Sequence, residues 1–260
     1  VCSSDLFYAA QSKKAIEELL LLTKTPGLTD MQRAQVKMLL ADIYVLDGDI
    51  WEASLLYMQI DNDFKFETIG SEAKFKNAKI FYYDGEFEFA QAQLNVLKES
   101  TSKLIANDAI QLAVFITDNY GLDSNYQVML WFATADRMIA QHHYDSAFVL
   151  FDSIQTQFPY HALADDILYR KGQAMEQRGA WQMALGFYAD LLKLHGKDIL
   201  ADDALFRTAE IQELRLLDKT TAVEFYKKLL IDYKSSLYGA EARKRIRLLR
   251  GDAPSEDDEL

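Results

Sequence analysis

The sequence contains few of the residues that form disulfides, tight turns or irregular loops. Its 260 residues include one cysteine, three prolines and eleven glycines. A single cysteine gives no evidence for a disulfide framework, and so few prolines and glycines leave little room for long loops. No apolar run approaches the ~20 residues that a helix needs to span a bilayer. Half of the residues are nevertheless hydrophobic, which is enough to build a sizeable core.

Basic residues are also scarce relative to acidic ones. The chain has 28 Lys and Arg against 40 Asp and Glu, a formal net charge of −12. Proteins that bind nucleic acid need a basic surface, because binding releases cations condensed on the phosphates. The charge therefore argues against a nucleic-acid partner and favours a basic or apolar one.

The two ends of the chain differ from the rest. Residues 1–7 begin with the string Val-Cys-Ser-Ser-Asp-Leu, which resembles the translation of a short-read sequencing adapter. We expect these residues to be a sequencing scar and not part of the fold; the alternative is a mature lipoprotein start at Cys2. Residues 251–260 are acidic and polar and predict a disordered tail, which leaves 8–250 as the folded domain.

Short segments of similar sequence recur along the chain. Segments 105–110, 163–168 and 200–205 all follow one pattern, in which a Leu or Ile and an Ala precede Asp or Asn. Asp and Asn suit helix starts, where they can accept hydrogen bonds from unpaired N–H groups and offset the helix dipole. The recurrence predicts an array of similar helical units.

A second repeated feature is a pair of small residues twelve positions apart. A large residue follows the second small one by four positions, and a turn lies between the two. The small pairs are Ala41 and Ala53, Ala78 and Ala90, Ala135 and Ala147, and Gly172 and Ala184; the large residues are Tyr57, Leu94, Phe151 and Tyr188. Two antiparallel helices approach closely where small side chains face each other, so each pair predicts a helical hairpin. The 37-residue steps from Ala41 to Ala78 and from Gly172 to Ala209 are typical of solenoids.

These features resemble the tetratricopeptide repeat family. The small-residue spacing, the large second-helix residue and Pro159 after Gln157 and Phe158 carry the resemblance, which covers about residues 8–250. The strings at 201–206 and 238–243 are similar to a bacterial subgroup. It includes the envelope lipoprotein of the outer-membrane-protein assembly machine and the periplasmic cell-division coordinator of the Tol system. The resemblance implies an all-α fold, a right-handed solenoid of antiparallel helix pairs. The leucine usual before the first small residue is replaced by Asn77, Thr134, Lys171 and Thr208.

The pattern of helix starts and turns predicts thirteen helices. They cover 12–23, 30–46, 49–60, 72–83, 86–100, 106–119, 125–141, 144–156, 165–178, 181–194, 202–217, 221–233 and 238–250. Asp49 and Glu52 have the spacing of a capping box at the start of the third helix. The helix at 106–119 has no predicted partner, and we expect it to divide the array into two halves.

Two positions of each first helix are candidates for contact with a partner. One lies three residues before the small residue and the other lies one residue after it, positions that tend to face the concave groove in the family. They are occupied by Met38 and Asp42, Phe75 and Lys79, Phe132 and Asp136, Tyr169 and Gln173, and Phe206 and Glu210. The functional interpretation is an aromatic and acidic groove for a peptide or helix. The alternative is that the aromatic residues pack between repeats.

Other candidate sites are weaker. Some family members bind a peptide carboxylate with Lys and Asn at these positions, and that pair is absent. His142 and His143 are adjacent and have no evident third ligand nearby, so we expect no metal site. The basic residues between Arg243 and Arg250 suit either a terminal cap or a helix that docks on an acidic partner or an anionic membrane surface. No phosphate-binding loop, Gly-x-Ser-x-Gly or His-Glu-x-x-His string occurs, and we expect no cofactor and no catalysis.

The sequence therefore predicts a protein-binding scaffold. Its expected partner is a protein or peptide held in a concave groove, and membrane association would need an N-terminal anchor that the sequence does not contain. The alternatives are a structural subunit that associates with itself and a cytoplasmic adaptor. The resemblance favours a periplasmic or envelope location, with the cytoplasm as the alternative.

Overall fold

The computed structural model describes residues 3–99, 102–121 and 126–251. Within these ranges the chain forms thirteen α-helices and one π-helical turn, with no β-strand. The predicted all-α class is confirmed. Residues 252–260 of the predicted tail and residues 1 and 2 of the predicted scar lie outside the described ranges, whereas Ser3 already belongs to the first helix.

The chain divides into two compact units, Val1–Phe158 and Pro159–Leu260. Unit 1 contains eight helices within its described residues. They are α1 (Ser3–Thr23), α2 (Asp30–Asp47), α3 (Ile50–Asp63), α4 (Thr68–Asp84), α5 (Phe87–Leu97), α6 (Lys103–Ile116), α7 (Tyr126–Ala140) and α8 (Tyr144–Gln157). Unit 2 contains α9 (Ala164–Gln177), α10 (Trp181–Leu194), α11 (Ala201–Leu214), α12 (Lys219–Asp232) and α13 (Gly239–Arg250).

In each unit consecutive helices pack on each other through short connections, except that α7 packs on α4 rather than along α6. Gly48 ends α2 and Gly85 ends α4, both with the left-handed backbone (φ 101° and 86°) that glycine adopts without steric cost. The next helix starts two residues later, so the chain reverses direction and the pair packs along its length. Helix α3 starts without the capping box expected at Asp49, whose side chain makes no cap hydrogen bond. The capping box lies one helix earlier, at Thr29 and Gln32.

The predicted small residues are buried in the packing between helices. Eight of them are alanines with no exposed surface: Ala41, Ala53, Ala78, Ala90, Ala135, Ala147, Ala184 and Ala209. At Gly172, an added Cβ would collide with the ring of Tyr188 from the neighbouring helix. Tyr57, Leu94, Phe151 and Tyr188 are buried as expected. The predicted register of the hairpins is confirmed by this packing.

Helix α6 interrupts the alternation of first and second helices. It packs on α5 and α4 and ends in the π-helical turn Thr117–Gly121, while α7 packs on α4. The expected division of the array at this helix is wrong, because the first unit continues to Phe158. Tyr82 of α4 donates a hydrogen bond to Asp136 of α7 (2.9 Å), and Met129 of α7 belongs to the same hydrophobic cluster as α2 to α6.

Candidate partner-binding surface

A groove in unit 1 runs between the first helices α2 and α4. Its cavity has a volume of about 720 Å³. The apolar part of its lining comes from Met31, Met38, Leu39, Phe66 and Ile69, and the polar part from Gln35, Asp42, Glu67, Thr68, Glu72 and Lys76. Phe66 is 90% exposed and Leu39 is 51% exposed, so much of this apolar surface is open to solvent.

A second cavity of about 280 Å³ continues the groove toward the end of α2. It shares Asp42 and Lys76 with the first cavity, and Lys79, one of the predicted groove residues, also lines it. The two cavities together follow the length of α2. This is the face on which the sequence places partner contacts, although most of its lining lies at positions that the sequence did not single out.

A polar cluster lies at the junction of the two cavities. The Asp42 carboxylate accepts a hydrogen bond from the Tyr57 hydroxyl at 2.6 Å and from the Lys76 ammonium at 2.8 Å. Lys76 also pairs with Glu72 at 3.2 Å. Burial and the adjacent Asp42 carboxylate raise the pKa of the Tyr57 hydroxyl. The cluster links α3, α2 and α4 and fixes the carboxylate in the groove wall.

Unit 2 contains two clusters of the same composition. In the first, Glu176 of α9 accepts hydrogen bonds from Tyr188 of α10 and from Arg207 of α11. In the second, Glu213 of α11 accepts from Tyr226 of α12 at 2.7 Å and from Arg245 of α13 at 3.2 Å. In each case a carboxylate of one helix binds a tyrosine of the next helix and a cation of the one after it. Burial first, and the carboxylate second, raise the pKa of Tyr188 and Tyr226.

The predicted groove residues of unit 1 have different environments. Phe75 is half-buried and packs against the main core cluster. Lys79 is half-buried and places its ammonium 5.6 Å from the centre of the Tyr83 ring. Phe132 is buried between Phe115 and Phe151, with ring centres 5.0 and 5.1 Å away, and therefore packs between helices. Asp136 is buried too and accepts the hydrogen bond from Tyr82.

The predicted residues of unit 2 take part in packing and ion pairs. The Tyr169 ring lies 5.7 Å from that of Tyr188. Phe206 is buried and stacks on Tyr238, with ring centres 4.3 Å apart and planes at 14°. Gln173 accepts a hydrogen bond from Arg170, and Glu210 accepts one from Arg207, both at 2.8 Å. The aromatic residues of this unit thus fit the packing interpretation, while Gln173 and Glu210 remain partly exposed.

The tyrosine, carboxylate and cation clusters were not predicted from the sequence. The repeat pattern predicts Tyr57 and Tyr188 as large second-helix residues but does not indicate the partners of their hydroxyl groups. A signal was available at Tyr188 and Tyr226, because a Glu occurs twelve or thirteen positions before each of them, at Glu176 and Glu213. The third partner, the cation, belongs to a later helix and lies more than thirty residues after the carboxylate in the sequence. Local sequence patterns do not reveal it.

The remaining candidates have structural surroundings of their own. The His142 ring nitrogen Nδ1 lies 2.8 Å from the Tyr144 hydroxyl, and no group of three or more potential metal ligands occurs in the described ranges. In the basic last helix, Arg245 pairs with Glu241 and Glu213, and Ile246 packs into the core of unit 2. None of the described helices is both long and apolar enough to cross a bilayer.

Comparison with known proteins gives no family assignment. The sequence matches no protein-family model, and no curated protein is significantly similar to it.

Proposed function

We propose that this chain is a non-catalytic scaffold that binds a peptide or protein segment in the groove between α2 and α4. In this proposal the helix pairs form a right-handed superhelix of the tetratricopeptide type. The observation that supports binding is the open groove of about 720 Å³ with five apolar residues on its walls. Grooves of this kind bind the apolar side chains of a helix or an extended segment, and the polar rim orients them.

The polar residues of the groove favour a particular ligand. Asp42, Glu67 and Glu72 are acidic, and Lys76 is the one cation among the lining residues. Since Lys76 already pairs with Asp42 and Glu72, the larger cavity has no spare cation for a C-terminal carboxylate. The proposed ligand is therefore an internal apolar segment with neutral or basic flanks, and not an acidic chain end.

Peptide selection against the full chain tests the proposal. Peptides from a random displayed library are selected on the wild-type protein, and the best one is measured by fluorescence anisotropy against Leu39→Glu and Leu237→Glu. Leu39 lies in the groove, whereas Leu237 is 96% exposed in unit 2. We expect Leu39→Glu to weaken binding by roughly tenfold or more and Leu237→Glu to leave it unchanged. Equal binding by both variants would contradict the proposed groove.

A self-associating structural subunit is the second candidate. Exposed leucines on α1, Leu20, Leu21 and Leu22, provide apolar surface at the first helix of unit 1 that could contact another copy. Size-exclusion chromatography with light scattering separates the two functions. A monomer over a wide concentration range supports the scaffold, and a mass that rises with concentration supports self-association. The proposed envelope location rests on the family resemblance and is tested by sequencing the coding region upstream of the codon for Phe7.

A further inference from the structure

A strip of apolar side chains is exposed on the second helices of unit 1, away from the α2 and α4 groove. On α3 it consists of Trp51, Leu55 and Met58, which are 49%, 54% and 44% exposed. Their spacing of four and three residues places them on one face of the helix. On α5, Phe89 and Val96 are 46% and 64% exposed and are two turns apart.

Ring contacts join the two helices into one continuous surface. The Trp51 ring meets Phe81 of α4 edge-on with centres 5.7 Å apart, and Phe81 contacts Phe89 with centres 4.2 Å apart. Aromatic pairs at these distances form stable contacts. The three rings therefore form a half-exposed aromatic cluster at one end of the strip, and Leu55 and Met58 extend it along α3.

The fold does not require a large apolar residue at the positions of Trp51 and Met58. The position of Trp51, two before the second small residue, carries Glu88, Asp145, Gln182 and Thr220 in the other second helices. The position of Met58 carries Asn95, Asp152, Ala189 and Lys227. The same hairpin thus forms without a large apolar residue at either position. Exposed apolar groups that packing does not explain are a mark of interaction surfaces.

Carboxylates surround the aromatic end of the strip. Asp49, Glu52, Asp84, Glu86 and Glu88 lie in the two turns and the first helical turns beside it, and all five are exposed. In the described part of the chain no ion pair involves any of them. Segments 38–64 and 80–97 contain no Lys or Arg.

The helix dipole accounts for only part of this charge. Glu52 and Glu88 lie in first turns, where a carboxylate is favourable. Asp84, however, is the last residue of α4, at the end where the dipole disfavours an anion. Burial, followed by the Glu52, Asp49 and Asp47 carboxylates, raises the pKa of the nearby Tyr44 hydroxyl. The surface around the aromatic cluster is therefore strongly negative.

We propose that this strip docks a basic amphipathic helix of a partner protein. The apolar face of that helix would cover Trp51, Leu55 and Met58, and its Lys or Arg residues would meet the carboxylates. An arginine can also stack on an exposed tryptophan ring, an attraction that increases as water is excluded. This second surface goes beyond the proposed groove, because it lies on α3 and α5 and needs a cationic partner.

A pair of designed peptides tests the chemistry. Each is a helix of about five turns with leucines on one face; one has Arg and Lys on both flanks of that face, and its twin has Glu at the same positions. Binding to the full chain is measured by fluorescence anisotropy at low and high salt. We expect the basic peptide to bind, with an affinity that falls as the salt concentration rises. The acidic twin should not bind.

Substitutions in the strip and among its carboxylates locate the site. Trp51→Gln combined with Leu55→Gln should lower the affinity for the basic peptide by roughly tenfold or more, since truncation of a central aromatic residue has the largest effect in an interface. Glu52→Gln combined with Glu88→Gln should lower this affinity by a smaller factor and make it less dependent on salt. Leu237→Gln in unit 2 is the matched control and should bind like the wild type. Circular dichroism verifies that each variant is folded.

Three results would overturn the proposal. The first is equal binding of both peptides, which would mean nonspecific apolar adhesion. The second is unchanged binding of the folded Trp51 and Leu55 variant, which would place the site elsewhere. The third is a concentration-dependent dimer in light scattering that Trp51→Gln abolishes, which would make a second copy of this chain the occupant.

Discussion

Close contacts between helices in this protein depend on single small residues. At Gly172 a Cβ atom would meet the ring of Tyr188, whereas at Gly186, also in a helix of unit 2, no atom lies within contact distance. The two glycines have the same intrinsic cost in a helix, about 1 kcal/mol relative to alanine. Their surroundings should therefore decide whether substitution by alanine raises or lowers the free energy of unfolding.

We expect Gly172→Ala to destabilise the protein by about 1–3 kcal/mol, because overpacking forces the Tyr188 ring to move. Gly186→Ala should stabilise it by about 0.5–1 kcal/mol, because alanine favours the helix and enters open space. The measurement is the free energy of unfolding by urea denaturation. Ala135→Leu and Ala184→Leu should behave like Gly172→Ala. A Gly172→Ala protein as stable as Gly186→Ala would refute the close contact.

Buried tyrosine hydroxyls should make the stability depend on pH in the alkaline range. The pKa of Tyr188 is raised in the folded state, by burial first and by Glu176 second. In the unfolded chain it returns to about 10. Below pH 10 the hydroxyl is protonated in both states and its contribution is complete. Above pH 10 only the unfolded state loses the proton, so the free energy of unfolding falls.

We therefore expect the stability of the wild type to decline between about pH 9 and pH 11, and the decline to be shallower in Tyr188→Phe. Urea denaturation at a series of pH values measures the slope. Tyr160→Phe is the control, because Tyr160 is 99% exposed and its substitution should leave the slope unchanged. A Tyr188→Phe variant with the slope of the wild type would mean that the hydroxyl is not held in its protonated form.

At the scale of helices, the sequence predicted the hairpins well and the irregular parts less well. Small residues twelve apart located the hairpins, since such a contact is local in sequence and fixes both helices. The capping box was misplaced because Asp49 and Glu52 have suitable identities, yet the Asp49 side chain makes no cap hydrogen bond. The continuity of unit 1 past α6 depends on contacts between α4 and α7, such as that of Tyr82 with Asp136. These residues are 54 positions apart, beyond the reach of local patterns.

The residues of the candidate site were also predicted only in part from local sequence patterns. The repeat pattern selected Lys79, which lines the second cavity of the groove. It also selected Phe132 and Phe206, whose rings are buried against neighbouring helices. A first-helix aromatic residue can face the groove or the next helix, and a small rotation of the helix decides between them. The exposed groove residues Leu39 and Phe66 follow from the three-dimensional packing and not from the repeat pattern.

Cationic side chains that form ion pairs with the second helix before their own should stabilise the array. Arg207 of α11 bonds to Glu176 of α9, whose side chain is only 11% exposed. We expect Arg207→Met to cost about 1 kcal/mol, since hydrogen bonds to charged groups are strong but Arg207 itself is partly solvated. Lys14→Met is the control, because Lys14 and its partner Glu18 are largely exposed, and should change stability by less than about 0.5 kcal/mol.

The double variant Glu176→Gln with Arg207→Met distinguishes charge from packing. If Arg207 acts through the Glu176 carboxylate, the double variant should recover part of the lost stability, because no partly buried charge is left without its cation. Additive losses from the two changes would show that the side chains act independently. Thermal and urea unfolding of the four proteins provide the comparison.

At the scale of the whole molecule, each compact unit contains a hydrophobic core of its own. In unit 1 one cluster joins α2 to α7, and in unit 2 another joins α11, α12 and α13. Repeat proteins are stabilised mainly by contacts between neighbouring repeats. A fragment that keeps complete hairpins should therefore retain its structure.

We expect the separate fragments 1–158 and 159–260 each to fold, with a helical circular dichroism spectrum and a cooperative thermal transition. The boundary at Phe158 and Pro159 leaves every described hairpin intact. The control is a pair of fragments cut after Arg178, which separates α9 from α10 and exposes the contact of Gly172 with Tyr188. Fragment 179–260 should lose cooperativity, because the face of α10 that packs on α9 has lost its partner. If 159–260 were unfolded while the full chain is folded, the cores would not be independent, and stability would depend on the array as a whole.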